Sequence, residues 1–175
     1  MRIRPARADE AQALADIAWA AKSFWPYPRA QLEAWRAVLS PSAVSIAERP
    51  TVVAELDNTA AGFYQLNVAA SPAQLEHLWV HPNGMRQGVG IALLTHAMQH
   101  LSTLGINTVH VDADPNAEGF YRRCGAQRIG EIAAPIAGQT NRVRPQLRLS
   151  ASDFSAISGT HAAQTTDTHR NGDSS

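Results

Sequence analysis

Apolar and polar residues alternate along this chain in two different rhythms. Met1–Arg4 reads as a short first strand. Asp9 is placed as a helix N-cap with Gln12 three residues on in capping-box position, and Leu14, Ile17, Ala18 and Ala21 follow at helical spacing. That helix should end near Ser23-Phe24-Trp25-Pro26, because proline restricts the residue before it. A second helix opens at Pro28, shows Leu32, Trp35 and Leu39 on one face, and stops at Ser40-Pro41. The rhythm then changes. Thr51–Leu56 and Ala61–Leu66 are rich in strand formers and flank the turn signal Asp57-Asn58, which predicts a hairpin. Leu75–Val80 is a further strand. Gly88 to Leu104 returns to helical spacing, with Leu94, Ala97, Met98, Leu101 and Leu104 on one face and Gly105 just past the end. Thr108–Asp112 is a strand, Asp114-Pro115 caps a short helix running to about Cys124, and Gln127–Ile132 and Val143–Leu149 close the series.

Strand, helix and strand from Leu75 to Asp112 form a crossover unit, so that part of the sheet should be parallel, whereas the hairpin is antiparallel. The expected architecture is α/β, a mixed sheet with helices on both faces. From Ser150 the chain turns to Ser, Thr, Ala, Asp, His and Asn. The folded domain is therefore expected over residues 1–151, with 152–175 a disordered tail that can be removed without loss of stability.

Composition narrows the function. The chain of 175 residues is 45% apolar and carries no formal net charge, which suits one globular domain. It also lacks the basic excess usual in nucleic-acid proteins. No run is long enough to span a bilayer, and the N-terminus shows no apolar signal segment. The single cysteine, Cys124, cannot form an internal disulfide. A soluble, cytoplasmic protein with neither nucleic acid nor membrane as partner is expected.

The most informative stretch runs from Leu78 to Leu94, strand then glycine-rich turn then helix. Such a turn presents consecutive backbone N–H groups at a helix N-terminus, where they and the helix dipole suit an anion such as a pyrophosphate. Gly88 and Gly90 would let the backbone approach phosphates closely. Spacing alone equally allows a plain strand-to-helix connection. It excludes a Walker loop, which needs Gly-Lys-Ser/Thr, and a Rossmann fingerprint, because position 93 is leucine.

Val80 to Leu94 resembles motif A of the GNAT superfamily of N-acetyltransferases, Gln/Arg-x-x-Gly-x-Gly/Ala, with Gly88 and Gly90 on the last two fixed positions and Met85 departing from the first. Asp114 to Ala126 is similar to motif B: Asn116, Phe120-Tyr121 and Gly125 are present, Ala117 follows Asn116 directly, and Ala126 replaces the usual phenylalanine. The resemblance covers residues 2 to 149 in element order. It implies a GNAT-like fold, a mixed sheet of about seven strands flanked by four helices. It also implies an acyltransferase that uses acetyl-CoA as co-substrate, with no metal, and often a homodimer.

The resemblance also implies the site. The cofactor would be held by Trp79, Val80, Met85, Arg86, Gln87, Gly88, Val89, Gly90, Ile91, Asn116 and Tyr121. Its pantetheine arm would pair with Trp79 and Val80 like an added strand, in a crevice where Leu75–Val80 and Thr108–Asp112 splay apart. Tyr121 is the expected general acid for the leaving thiolate, and Glu76 the expected base, direct or through water. Trp25 and Tyr27, in the link between the first two helices, are expected beside the acceptor amine. For each, a structural role stays open: Tyr121 as a core aromatic, Asn116 as a helix-start residue, Glu76 as a solvated strand residue, and Trp25 and Tyr27 as helix anchors. His77 should face away from Glu76 and towards His81's face. His96 and His100, at i and i+4, are read as a solvated helix face rather than metal ligands. Cys124 is read as a small buried residue. The function expected is acetyl transfer to the primary amine of a small or amino-acid-like acceptor. The alternatives are a protein or peptide N-acetyltransferase, and a non-catalytic acyl-CoA sensor.

Overall fold

The computed structural model describes residues 1–154. Seven strands form one sheet in the order β1-β2-β3-β4-β5-β7-β6: β1 (Arg2–Pro5), β2 (Thr51–Leu56), β3 (Thr59–Asn67), β4 (Ala73–Val80), β5 (Thr108–Asp112), β6 (Gln127–Ala133) and β7 (Val143–Ser150). All neighbours are antiparallel except β4 and β5. The helices are α1 (Ala11–Ser23), α2 (Arg29–Trp35), α3 (Ala43–Glu48), α4 (Val89–Thr103) and α5 (Glu118–Arg123). This is the expected mixed sheet, with one short helix more than the periodicity shows. Asp57 and Asn58 both take positive φ, 48° and 62°, which makes the β2–β3 connection the tight hairpin their side chains predict.

Strand alternation sorts side chains to the two faces. Val52, Ala54, Tyr64 and Leu66 pack with Leu93, Leu94, Ala97 and Leu101 of α4 and Tyr121 of α5. Val53 and Phe63, one residue out of phase, pack with Leu14, Ile17 and Ala18 of α1 and Ile46 of α3. Helices therefore cover both faces. No helix among the described residues is long and apolar enough to cross a membrane.

Three local expectations are corrected. The Asp9–Gln12 capping box does not form. A 3-10 turn over Ala8–Glu10 precedes α1, and the Glu10 carboxylate instead accepts the Arg7 N–H at 2.8 Å. Arg4 grips the same carboxylate through both its oxygens, at 2.8 and 2.7 Å, and holds it down at about 2 on the pKa scale. His96 is not simply solvated, because its Nδ1 meets the Tyr64 hydroxyl at 2.9 Å and burial lowers its pKa. The packed region also runs past Ala151. Residues 151–154 form a helical turn and Phe154, 6% exposed, joins the core of the α4 face. The rest of the expected tail, residues 155–175, lies outside the described residues.

Phe154 makes the end of the domain testable. Truncating a buried aromatic to alanine leaves a cavity as well as lost transfer energy, so Phe154→Ala should cost ~3 kcal/mol in urea unfolding. A chain cut after Ala151 removes the same ring and should melt below the full chain rather than with it.

Candidate active site

The sheet opens where β4 meets β5. Only Ala73–Val109 and Gln74–His110 are paired; beyond them the strands part. In the β3–β4 ladder Gln65 pairs with His77 but Leu66 with Leu75, so Glu76 is an extra, bulged residue. A bulge bends the strand that carries it, which helps turn the end of β4 away from β5. The backbone edge of residues 75–80 is left without a strand partner on that side.

Two cavities open from this cleft. One, about 420 Å³, lies between the glycine turn and α5. The other, about 370 Å³, lies between β4, the end of β5, Trp35 and the start of β7. They share Lys22, Leu78, Trp79, Asp114, Ala117 and Tyr121 as a common wall.

The first cavity is built by the turn. His81 Nδ1 accepts the Asn83 N–H at 3.2 Å and opens a 3-10 turn over Pro82–Gly84. Arg86 and Gly88 then adopt positive φ, 63° and 79°, and α4 begins. Among the described residues no backbone carbonyl accepts the N–H groups of Gly88, Val89, Gly90 and Ile91, so these donors face the cavity at the positive end of a 15-residue helix. Gly90 lies against the Phe120 ring, which a Cβ would meet at 3.4 Å. Val80, Met85 and Arg86 also line this cavity, but Gln87 does not. Its Nε2 donates to the Asn83 carbonyl at 2.5 Å and braces the turn from outside. Arg123, which the sequence did not mark out, lines the same cavity from α5 and adds a basic residue to it.

Tyr121 stands where the cavities meet. It is packed in the core and only 5% exposed, yet it lines both spaces. Both of its expected roles, packing and chemistry, are therefore open to one side chain. Burial pushes its phenol well above the ordinary value, with nearby Cys124 adding to the effect. Cys124 is itself buried, and burial raises its thiol.

The end of β5 carries a feature that the sequence did not reveal. Asp114, the expected cap, accepts the Asn116 N–H at 2.9 Å. It also binds Lys22 of α1, takes the Tyr27 hydroxyl at 2.9 Å, and lies 3.5 Å from Arg142 Nη2. Lys22 is 6% exposed, with its ammonium over the rings of Tyr27 and Trp35 at 4.6 and 4.4 Å. Burial lowers its pKa against the pull of Asp114. Burial would raise the Asp114 carboxyl, but the hydrogen bond and charge of Lys22, with Asn116 and Tyr27, hold it below its usual value. Asn116 Nδ2 donates to the Tyr27 hydroxyl at 3.0 Å.

Tyr27 and Trp25, expected together beside the acceptor, are separated. The Tyr27 N–H closes a tight turn on the Trp25 carbonyl at 2.7 Å, so the two rings leave in different directions. Trp25 lines the glycine-turn cavity. Tyr27 packs edge-on against Trp35 at 5.1 Å and faces an open groove beside residues 138–143.

Glu76 lines the second cavity, and both its carboxylate oxygens are engaged. Arg49 binds one and Asn67 Nδ2 donates to the other at 3.0 Å. His77 does not face away from Glu76 as a regular strand would require: at the bulge both line the same cavity, with His77 against Phe63 and its Nδ1 accepting from Trp79 Nε1 at 3.3 Å. Burial lowers its pKa, which keeps the imidazole neutral. His81, at the start of the turn, lines neither cavity.

A family model described as the acetyltransferase (GNAT) family matches residues 11–126, and the chain belongs to that family. It is accordingly an acyl-CoA-dependent acetyltransferase. Among solved structures, a GCN5-related N-acetyltransferase from Rhodopseudomonas palustris superposes with TM-score 0.71 at 24% identity, covering 85% of this chain and 94% of that one. A PaiA N-acetyltransferase from Thermoplasma acidophilum, in complex with coenzyme A, gives 0.70 at 19%, covering 85% and 98%. The ribosomal-protein-S18-alanine N-acetyltransferase from Escherichia coli gives 0.65 at 18%, covering 86% and 93%. These likenesses establish the fold. A search of curated proteins finds no match.

Two substitutions test the two halves of the site. Gly88→Glu puts a carboxylate beside the free N–H groups and a side chain at positive φ, so coenzyme A binding by calorimetry should vanish while circular dichroism keeps its shape. Asp114→Asn leaves Lys22 and Arg142 buried without their shared carboxylate. Breaking a buried ion pair from one side costs ~3 kcal/mol or more, which denaturant unfolding would register. A change within ~0.5 kcal/mol would mean that Asp114 does not hold them.

Proposed function

We propose that the protein transfers the acetyl group of acetyl-CoA to the primary amine of a small acceptor by direct attack in a ternary complex. The observation that carries this reading is the meeting of two cavities at Tyr121. One offers unpaired N–H donors and Arg123 to a pyrophosphate, and the other is a compartment of small-molecule size on the far side of the same tyrosine. The unpaired edge of β4 at Trp79 and Val80 supports a pantetheine arm lying along it as an added strand. The thioester would then sit beside Tyr121.

In this reading the amine nitrogen attacks the thioester carbonyl carbon, the carbon–sulfur bond breaks, and the thiolate takes the proton of the Tyr121 hydroxyl. The proton lost by the amine passes to Glu76, directly or through water, across the acceptor cavity. The Asn116 carboxamide, fixed by Tyr27 and Asp114, borders the cofactor arm. Walls on several sides of the acceptor cavity, from Trp35 to Ile136, favour a small molecule over a folded protein. A reducing, cytoplasmic setting suits the buried thiol of Cys124.

Tyr121→Phe removes one hydroxyl and nothing else. Turnover should fall ~10²-fold with acetyl-CoA affinity unchanged. Because burial raises the phenol's pKa, its acid form persists to higher pH than in a free tyrosine. The wild-type kcat should therefore hold its plateau to about pH 10, with no alkaline fall before it. Near-normal turnover in the variant would reduce Tyr121 to packing.

A further inference from the structure

The acceptor cavity is lined by three basic residues, Lys22, Arg142 and Arg144, and by three acidic ones, Glu76, Asp112 and Asp114. Lys22 and Arg142 both lean on one carboxylate, Asp114. The Arg142 side chain is only 6% exposed, and its buried Nε–H has no acceptor. Its Nη1 donates to the Ala134 carbonyl at 3.0 Å, and the rings of Tyr27 and Trp35 lie 5.4 and 5.3 Å from the guanidinium. Arg144 has no carboxylate partner among the described residues. Its hydrogen bond goes to the backbone carbonyl of Asp112 at 2.7 Å. Of the other acidic groups, Glu76 is paired with Arg49 outside the cavity, and Asp112 accepts from the neutral amide of Gln146 and keeps its charge. Residues 142 and 144 stand two apart at the entry to β7, so their side chains leave on the same side.

A buried guanidinium N–H without an acceptor, next to a second arginine without a carboxylate partner among the described residues, favours an anion in this space. Resting on the acetyl-transfer reading above, we propose that the acceptor is a free amino acid, or a close analogue, whose carboxylate docks on Arg142 and Arg144 while its amine points to Tyr121. The two arginines disfavour polyamines, whose second ammonium would fall where the proposal puts the carboxylate. Lys22, at the junction of the cavities, disfavours the protonated form of the incoming amine and so favours the nucleophilic free base.

The test is thiol release at saturating acetyl-CoA over matched acceptors: free amino acids, their amides, the corresponding decarboxylated amines, a polyamine, and short peptides with free N-termini. At least one amino acid should be consumed with kcat/KM ~30-fold or more above its own amide, and the amides and peptides should fare alike. A ~30-fold ratio is the order expected for a charge-assisted bidentate contact. In Arg144→Gln, which keeps the chain hydrogen-bonding at that position, the acid-to-amide ratio should collapse towards one through a rise in KM for the acid. Equal rates for acid and amide, a preference for polyamine or peptide, or no amino acid consumed at all would each overturn the proposal. Failure of the underlying reading is distinguishable, because then no acceptor of any class in the series would release thiol, whether or not acetyl-CoA binds in calorimetry.

Discussion

The site depends on one half-buried carboxylate. Asp114 gathers the ammonium of Lys22 from α1, the hydroxyl of Tyr27 from the α1–α2 link, the N–H of Asn116 at the entry to α5, and the guanidinium of Arg142 ahead of β7. Tyr27 and Arg142 among them are 115 residues apart in sequence, and Lys22 lies further back still. An isolated anion there would be expelled by its desolvation cost, and two isolated cations more so. Together they form a cluster in which each charge is needed to keep the others. Its position follows from the backbone: β5 ends at Asp112, and Asp114 serves as the cap of the turn into α5. A local requirement of the chain, capping, thus places the group that closes the cleft's two cavities against each other.

The opening of the sheet is the second constraint, and it is set by backbone pairing rather than by side chains. Parallel pairing of β4 and β5 lasts for two residue pairs. Past that point each strand edge needs a partner that the sheet does not supply. An extended arm along β4 would satisfy it, and the free N–H groups at α4 continue the same path towards phosphates. Binding and fold are linked here. The groups left unsatisfied in the protein alone are those that a long, amide-containing, anionic co-substrate can satisfy.

Much of this was legible in the sequence where the signal was local. The turn at Asp57-Asn58, the cap at Asp114, the glycine turn and the apolar stripe of α4 each depend on residues close together in the chain. The element order and the motif around Phe120-Tyr121 gave the family. What stayed hidden was set by distant partners. Lys22 follows the apolar stripe of α1 and reads as the solvated end of a helix, because its carboxylate lies 92 residues away. Arg142 sits in a stretch with no periodicity. Helix α3 is six residues long, too short for a 3.6-residue rhythm, and only the Ser42 cap on the Ser45 N–H, at 3.1 Å, marks it. The resemblance implies that Gln87 holds the cofactor with its neighbours, but its amide turns back to the Asn83 carbonyl, a contact the motif does not show.

The two aromatics of the α1–α2 link could not be assigned from sequence for a different reason, the conformation of a local turn. Spacing suggested one cluster, but the turn that hydrogen-bonds Tyr27 to Trp25 sends the rings to different neighbours. Trp25 goes to the side of the glycine turn, and Tyr27 becomes the platform on which Lys22 and Arg142 rest. Tyr27 therefore acts on the acceptor cavity through the cations that it holds. An aromatic face stabilises a cation without neutralising it. That is how a cluster with one central carboxylate keeps two cations in place and still presents positive charge to the cavity.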